Sequence, residues 1–141
     1  MPLRVKKLVP DAQFPVRAHE GDVGYDIFAS ETTAIRPKER VLVSTGISIV
    51  IPEGHYGRIA PRSSLSVAGL DVGAGVIDPS YRGEVKVLLI NNTYPRNPYK
   101  VHKGDKIAQL ILEKVSTISV VEIESLPETD RGDGGFGSTG K

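Results

Sequence analysis

Apolar residues along this chain fall in short runs rich in β-branched side chains, with turn residues standing between them. Leu3–Leu8, Tyr25–Ala29, Val41–Val43, Ile47–Ile51, Tyr56–Ala60, Val85–Ile90, Ile107–Leu112 and Ser119–Ile123 each have the length of a strand. The breaks are Pro10-Asp11, Arg36-Pro37, Pro52-Glu53-Gly54, Asn91-Asn92 and Lys103-Gly104-Asp105, residues that favour turns. Alternation in Ile47-Ser48-Ile49 and in Val120-Val121-Glu122-Ile123-Glu124 predicts strands with one wet face. Val85–Ile90 is apolar apart from Lys86, so it is expected to be central or to face another subunit. Prolines spread from Pro2 to Pro127 leave few windows in which a long helix keeps its hydrogen bonds. Many short strands with no repeat period indicate a mostly β fold: a sandwich, jelly roll or barrel.

One segment departs from that pattern. Arg62-Ser63-Ser64-Leu65-Ser66-Val67-Ala68-Gly69 follows Pro61, offers serine as an N-cap and ends on glycine, which predicts one or two helical turns. A helix start beside an arginine can receive an anion, and a capped surface connector is the plainer alternative. The C-terminal stretch Arg131–Lys141 holds five glycines and is expected to be a mobile tail. A lone Phe136 within that run suits a tail that closes over a ligand, stacking on it while backbone amides hold oxyanions.

Composition narrows the chemistry. The 141 residues suit one domain. With no cysteine, a disulfide scaffold, a thiolate metal site and a cysteine nucleophile are excluded. Lys+Arg 18 against Asp+Glu 17 gives a net charge of +1, too little to drive binding to nucleic acid or an acidic membrane. Without an apolar span or a signal-peptide core, the expectation is a soluble intracellular protein, cytoplasmic or nuclear. His19, His55 and His102 are scattered and are expected to be surface or strand residues. The P-loop and dinucleotide fingerprints are absent; Gly73-Ala74-Gly75 opens no helix. Two aspartates have suggestive settings, Asp26 in Gly24-Tyr25-Asp26-Ile27 and Asp78 before Pro79 in an apparent hairpin whose far arm starts near Gly83. A carboxylate at Asp78 can be held rigidly with Tyr81 flat beside a ring or sugar, although Asp-Pro also simply starts turns.

Five segments in order resemble the motifs of the trimeric dUTP diphosphatases (dUTPases). They are Asp22–Ser30, Pro61–Leu65, Gly75–Glu84, Gly104–Ile111 and Arg131–Gly140. The resemblance covers nearly the whole chain. It implies an all-β, jelly-roll-like fold (the dUTPase-like β-clip) with one short helix after Pro61, a β domain over residues 1–126 and a flexible tail over 127–141. It also implies a homotrimer with active sites shared between subunits, Mg²⁺ on the triphosphate, and hydrolysis of dUTP to dUMP and pyrophosphate. Such an activity limits uracil incorporation into DNA and supplies dUMP for dTMP synthesis.

Carried over by position, Asp78 would deprotonate the water that attacks the α-phosphorus, and Tyr81 would pack on the deoxyribose. The backbone at Gly75, Val76, Ile77 and Lys86 would read uracil, while Arg62, Ser63, Ser64 and Gln109 would hold phosphates. From the tail, Arg131, Gly137 and Ser138 would reach the phosphates and Phe136 would stack on the base. Asp26 would organise metal waters or the neighbouring arginine. Two positions depart from the family pattern: Ser64 where glycine is common, and Pro79-Ser80 where acidic residues are common. The alternatives are a dCTP deaminase, or a bifunctional relative, on the same fold, and a non-enzymatic jelly-roll module displaying Arg131-Gly132-Asp133. The deaminases use an extra carboxylate in the strand after the hairpin, and Val85–Ile90 has none.

Overall fold

The computed structural model describes residues 1–94 and 98–137. In chain order the elements are β1 (Arg4–Lys7), β2 (Tyr25–Phe28), β3 (Thr33–Ile35), β4 (Arg40–Ser44), β5 (Ile47–Val50) and β6 (His55–Ala60). There follow α1 (Ser63–Val67), β7 (Leu70–Gly73), β8 (Val76–Ile77), β9 (Lys86–Asn91), β10 (Tyr99–Val101) and β11 (Lys106–Lys114). The fold is all-β and jelly-roll-like, and the described residues form four small antiparallel sheets ordered β1-β5, β10-β3, β2-β11-β6-β8 and β4-β9-β7.

Alternation places the core. Ile47 and Ile49 of β5, Val87 and Leu89 of β9, and Ala108 and Leu110 of β11 alternate into the core beside Ile27, Ile35, Val43 and Val101, while an irregularity in β11 between Lys106 and Ala108 buries Ile107 as well. β-branched side chains suit such a half-buried pleated surface. Asn91, fully buried, ties the sheets: its Nδ2 donates to the Ile35 carbonyl at 2.8 Å, and its Oδ1 accepts from Thr93 N at 3.0 Å. Both polar ends of this buried side chain are thereby satisfied.

The structure corrects several expectations. Ser119–Ile123 forms no strand, and Val120 and Val121 are 97% and 75% exposed. The alternation is present, but among the described residues nothing pairs with this segment. Serine is not the cap of α1: Arg62 is the N-cap, in extended conformation and without a side-chain cap bond, and Ser63 is the first helical residue. β3, β7 and β10 were not anticipated, being three or four residues long. Val85 lies just outside β9, which begins at Lys86.

Candidate active site

The expected hairpin after Gly75 is real, but its arms do not pair with each other. β8 pairs with β6, Gly57 opposite Ile77 and Arg58 opposite Val76. The return arm enters β9, which lies between β4 and β7. The arms therefore diverge into different sheets and leave between them a cleft of about 310 Å³. Gly75, Val76, Ile77 and Asp78 line one side, Glu84, Val85 and Lys86 the other, with Tyr81 at the tip. Among the described strands β8 has β6 as its partner and a second edge without one, so main-chain groups there are available to a planar ligand.

Local chemistry dictates this shape. Ala74 has φ 55° and Gly75 φ 111°, the left-handed region that favours glycine. At Gly75 a Cβ would lie 2.6 Å from the Ile59 carbonyl oxygen. Only glycine lets the chain turn so close to β6, where Ile59 N donates to the Gly75 carbonyl at 2.7 Å. At the tip, Tyr81 N donates to the Asp78 carbonyl at 3.0 Å, closing a turn around Pro79-Ser80. Tyr81 Oη donates to the Glu84 carbonyl at 2.8 Å, and Gly83 is where a Cβ would collide with the phenol. The ring is therefore fixed across the hairpin rather than free to rotate. Asp78 is exposed, and among the described residues its carboxylate enters no ion pair.

A second cluster forms where α1 meets β2 and β11. The Asp26 carboxylate, 15% exposed, stands 3.9 Å from Arg62 Nε and 3.4 Å from Lys106 Nζ. Arg62 Nη1 also donates to the Lys106 carbonyl at 3.4 Å. Gln109 Nε2 donates to the Pro61 carbonyl at 3.0 Å, and a Cβ at Gly24 would overlap the Gln109 side chain. Two cations around one carboxylate leave the cluster net positive. Of the two roles open to Asp26, this placement favours orienting the arginine. Beside it lies a hollow of about 360 Å³ lined by Arg62, Leu65, Tyr99, Asp105 and Lys106.

The structure thus brings Gly75, Val76, Ile77, Asp78, Tyr81 and Lys86 together, and separately Arg62, Gln109 and Asp26, with Ser63 and Ser64 on the adjoining α1. The two hollows share no lining residue. Arg131 to Gly137 fold on themselves: Arg131 Nε donates to the Gly134 carbonyl at 2.7 Å, and Gly134 N to the Arg131 carbonyl at 3.1 Å. Phe136 is fully exposed at φ 53°. Ser138 lies outside the described residues. Lys106 was missed as a site cation although it stands in the fourth motif.

The histidines remain apart. His19 meets Asp22, three residues on, at 3.3 Å in an exposed turn. The Tyr56 phenol is pushed up, first by its 2.8 Å hydrogen bond to Glu113 and then by burial.

The family model described as dUTPase matches residues 11–140. A Paramecium bursaria Chlorella virus 1 protein named deoxyuridine 5'-triphosphate nucleotidohydrolase is 54% identical over 139 residues, 98% of this chain and 97% of its own. The Mus musculus protein of that name is 48% identical over 140 residues, 99% of this chain and 85% of its own. Among solved structures, Staphylococcus bacteriophage 80alpha dUTPase with dUPNHPP is similar at TM-score 0.90 and 30% identity, covering 99% of each chain. A variant dUTPase from phage phi11 of S. aureus, described as revealing the coordination of a structural Mg(II) ion, gives TM-score 0.84 at 29% identity over 91% of this chain and 100% of that one. Sequence, fold and the placement of the motifs agree, and the chain belongs to the dUTPase family.

Proposed function

We propose that this protein is a dUTP diphosphatase, hydrolysing dUTP to dUMP and pyrophosphate at sites completed by neighbouring copies of the chain. The observation that carries the reading is the open hairpin, with main-chain edges inside and the Asp78 carboxylate at its mouth. Uracil offers a donor at N3 and an acceptor at O4, to be matched by the backbone of Gly75, Val76, Ile77 and Lys86. Cytosine inverts both and would leave buried polar groups unpaired. Tyr81, held by the Glu84 carbonyl, lies where the deoxyribose would rest and excludes a 2′-hydroxyl.

Asp78 takes a proton from water as the water oxygen bonds to the α-phosphorus. The bond from that phosphorus to the bridging oxygen breaks and pyrophosphate leaves. Such a transfer asks mainly for positioning and charge neutralisation. Arg62, with Ser63, Ser64 and Gln109, meets the phosphates, and Arg131, Gly137 and Ser138 reach them from the tail as Phe136 stacks on the base. Among the described residues no three His, Cys, Asp or Glu side chains are grouped to cage a metal. Mg²⁺ prefers phosphate oxygens and water as ligands, which the substrate and solvent would supply. When bound, Mg²⁺ would draw negative charge off the triphosphate, while Asp26 holds Arg62 in place beside it.

Three features support a trimer with shared sites. The base cleft and the Arg62 hollow are lined by different residues, so one chain does not merge them. Ile118, Val120, Val121 and Leu126 are 75–97% exposed within nine residues of chain, apolar side chains that another copy could cover. The outer face of the β4-β9-β7 sheet carries Leu42, 57% exposed, opposite Leu88. Closing a ring would cover such surfaces and bring one chain's hairpin to another's arginine cluster.

The test is pyrophosphate release with Mg²⁺ from dUTP, dCTP, dTTP and UTP. A preference for dUTP on the order of 10⁴ is expected from a site built on hydrogen bonding. Ammonia release from dCTP would instead establish a deaminase, and no turnover of any nucleotide would refute the reading.

A further inference from the structure

The return arm of the hairpin has no partner strand across the cleft, yet three of its consecutive carbonyls are taken by hydroxyls. Ser48 Oγ donates to Gly83, Tyr81 Oη to Glu84, and Thr45 Oγ1 to Val85. Thr45 is 1% exposed and Val85 2%, so a carbonyl left without that hydroxyl would be buried and unsatisfied. A reciprocal bond runs the other way, from Gly46 N to Glu84 Oε2 at 2.9 Å. The side chain of the turn holds the backbone of the arm, and the side chain of the arm holds the backbone of the turn.

The turn is itself immobilised. Gly46 has φ 72°, and a Cβ there would lie 2.7 Å from Val9 and 3.0 Å from Ala12. Leu8 N donates to the Gly46 carbonyl at 2.7 Å, and Ser30 N to that of Ser44 at 2.8 Å. One wall of the cleft is thus fixed to a rigid platform, and the other to β6. A gap read by main-chain groups works only if its width is held to a fraction of an ångström.

We propose that Thr45 and Glu84 are positioning residues, a crossed brace between the β4–β5 turn and the return arm that sets the width of the base cleft and hence its choice of base. The proposal rests on the uracil-reading role assigned to that cleft, and two independent readouts separate it from that role.

In the first, Thr45→Val and Glu84→Ala are expected to raise KM for dUTP and to lower the ratio of kcat/KM for dUTP over dCTP by about tenfold or more. Thr45→Ser and Glu84→Gln, which keep the donor and the acceptor, are expected to restore the ratio. In the second, read without nucleotide, the Val85 amide of Thr45→Val and the Gly46 amide of Glu84→Ala are expected to exchange about tenfold faster, with β11 amides unchanged. A lower melting temperature with unchanged base selectivity would overturn the proposal, because the pair would then serve stability alone. Unchanged exchange at both amides would overturn it too. Failure of the wild-type chain to hydrolyse dUTP would refute the proposed function, and exchange would still decide whether the brace exists.

Discussion

Asp78→Asn is expected to lower kcat for dUTP by about 10²–10⁴, the usual worth of a general base, while dUTP still binds within roughly threefold of wild type. Asparagine matches aspartate in shape but cannot take a proton from water. Asp78 is exposed at the end of β8, and among the described residues its carboxylate enters no ion pair that the substitution would break. The turn it opens is closed through its backbone carbonyl, which the variant keeps. The melting temperature should therefore stay where it is. Single-turnover kinetics with a binding titration check the result; a variant with more than about a tenth of wild-type kcat would remove Asp78 as the base.

Removing residues 131–141 is expected to cost about 10²–10³ in kcat/KM, comparable to loss of an oxyanion-stabilising donor, again without loss of stability. The core contains no residue beyond Leu110, and residues 114–133 are exposed throughout. Phe136 stands fully exposed in a left-handed conformation, an arrangement that costs free energy in the free chain. It becomes reasonable if the ring covers a ligand, and Arg131, whose Nε donates to the Gly134 carbonyl at 2.7 Å, then exchanges a neutral acceptor for a phosphate. Steady-state kinetics on the truncated chain check this. Equal kcat/KM for truncated and full-length protein would leave the tail without a catalytic part.

Much of this was legible in the chain because hydrophobic runs and turn residues agree. Ile47–Ile51, Tyr56–Ala60 and Ile107–Leu112 all became strands or parts of them, since each has an apolar face long enough to be recognised. β3 and β10 were hidden because each exists only through the other, Thr33 opposite Val101 and Ile35 opposite Tyr99, with too few residues to show a period. Ser119–Ile123 failed in the opposite direction: its pattern is that of a strand, but a strand needs a pairing partner as well as a pattern, and among the described residues it has none. In the site, Asp78 and Tyr81 stood out by their setting and by resemblance. Thr45 and Glu84 did not, because their partners lie 40 and 38 residues away and no local spacing announces them. Arg62 was legible as a cation beside a helix start, whereas its service as the extended N-cap depends on backbone angles that residue type does not fix.

The proposed sharing of sites is taken to include the tail, so that one chain's Asp78 would work with another chain's tail, and mixing two inactive variants tests this most directly. Asp78→Asn chains carry an intact tail, and chains ending before Arg131 carry an intact Asp78. Unfolded together in equal amounts and refolded, they are expected to recover about a quarter of wild-type sites, the chance that a site in a randomly assembled ring draws both intact parts from two different chains. If each site is built from a single chain, the mixture holds no complete site, and activity no higher than that of the two variants alone would contradict the account.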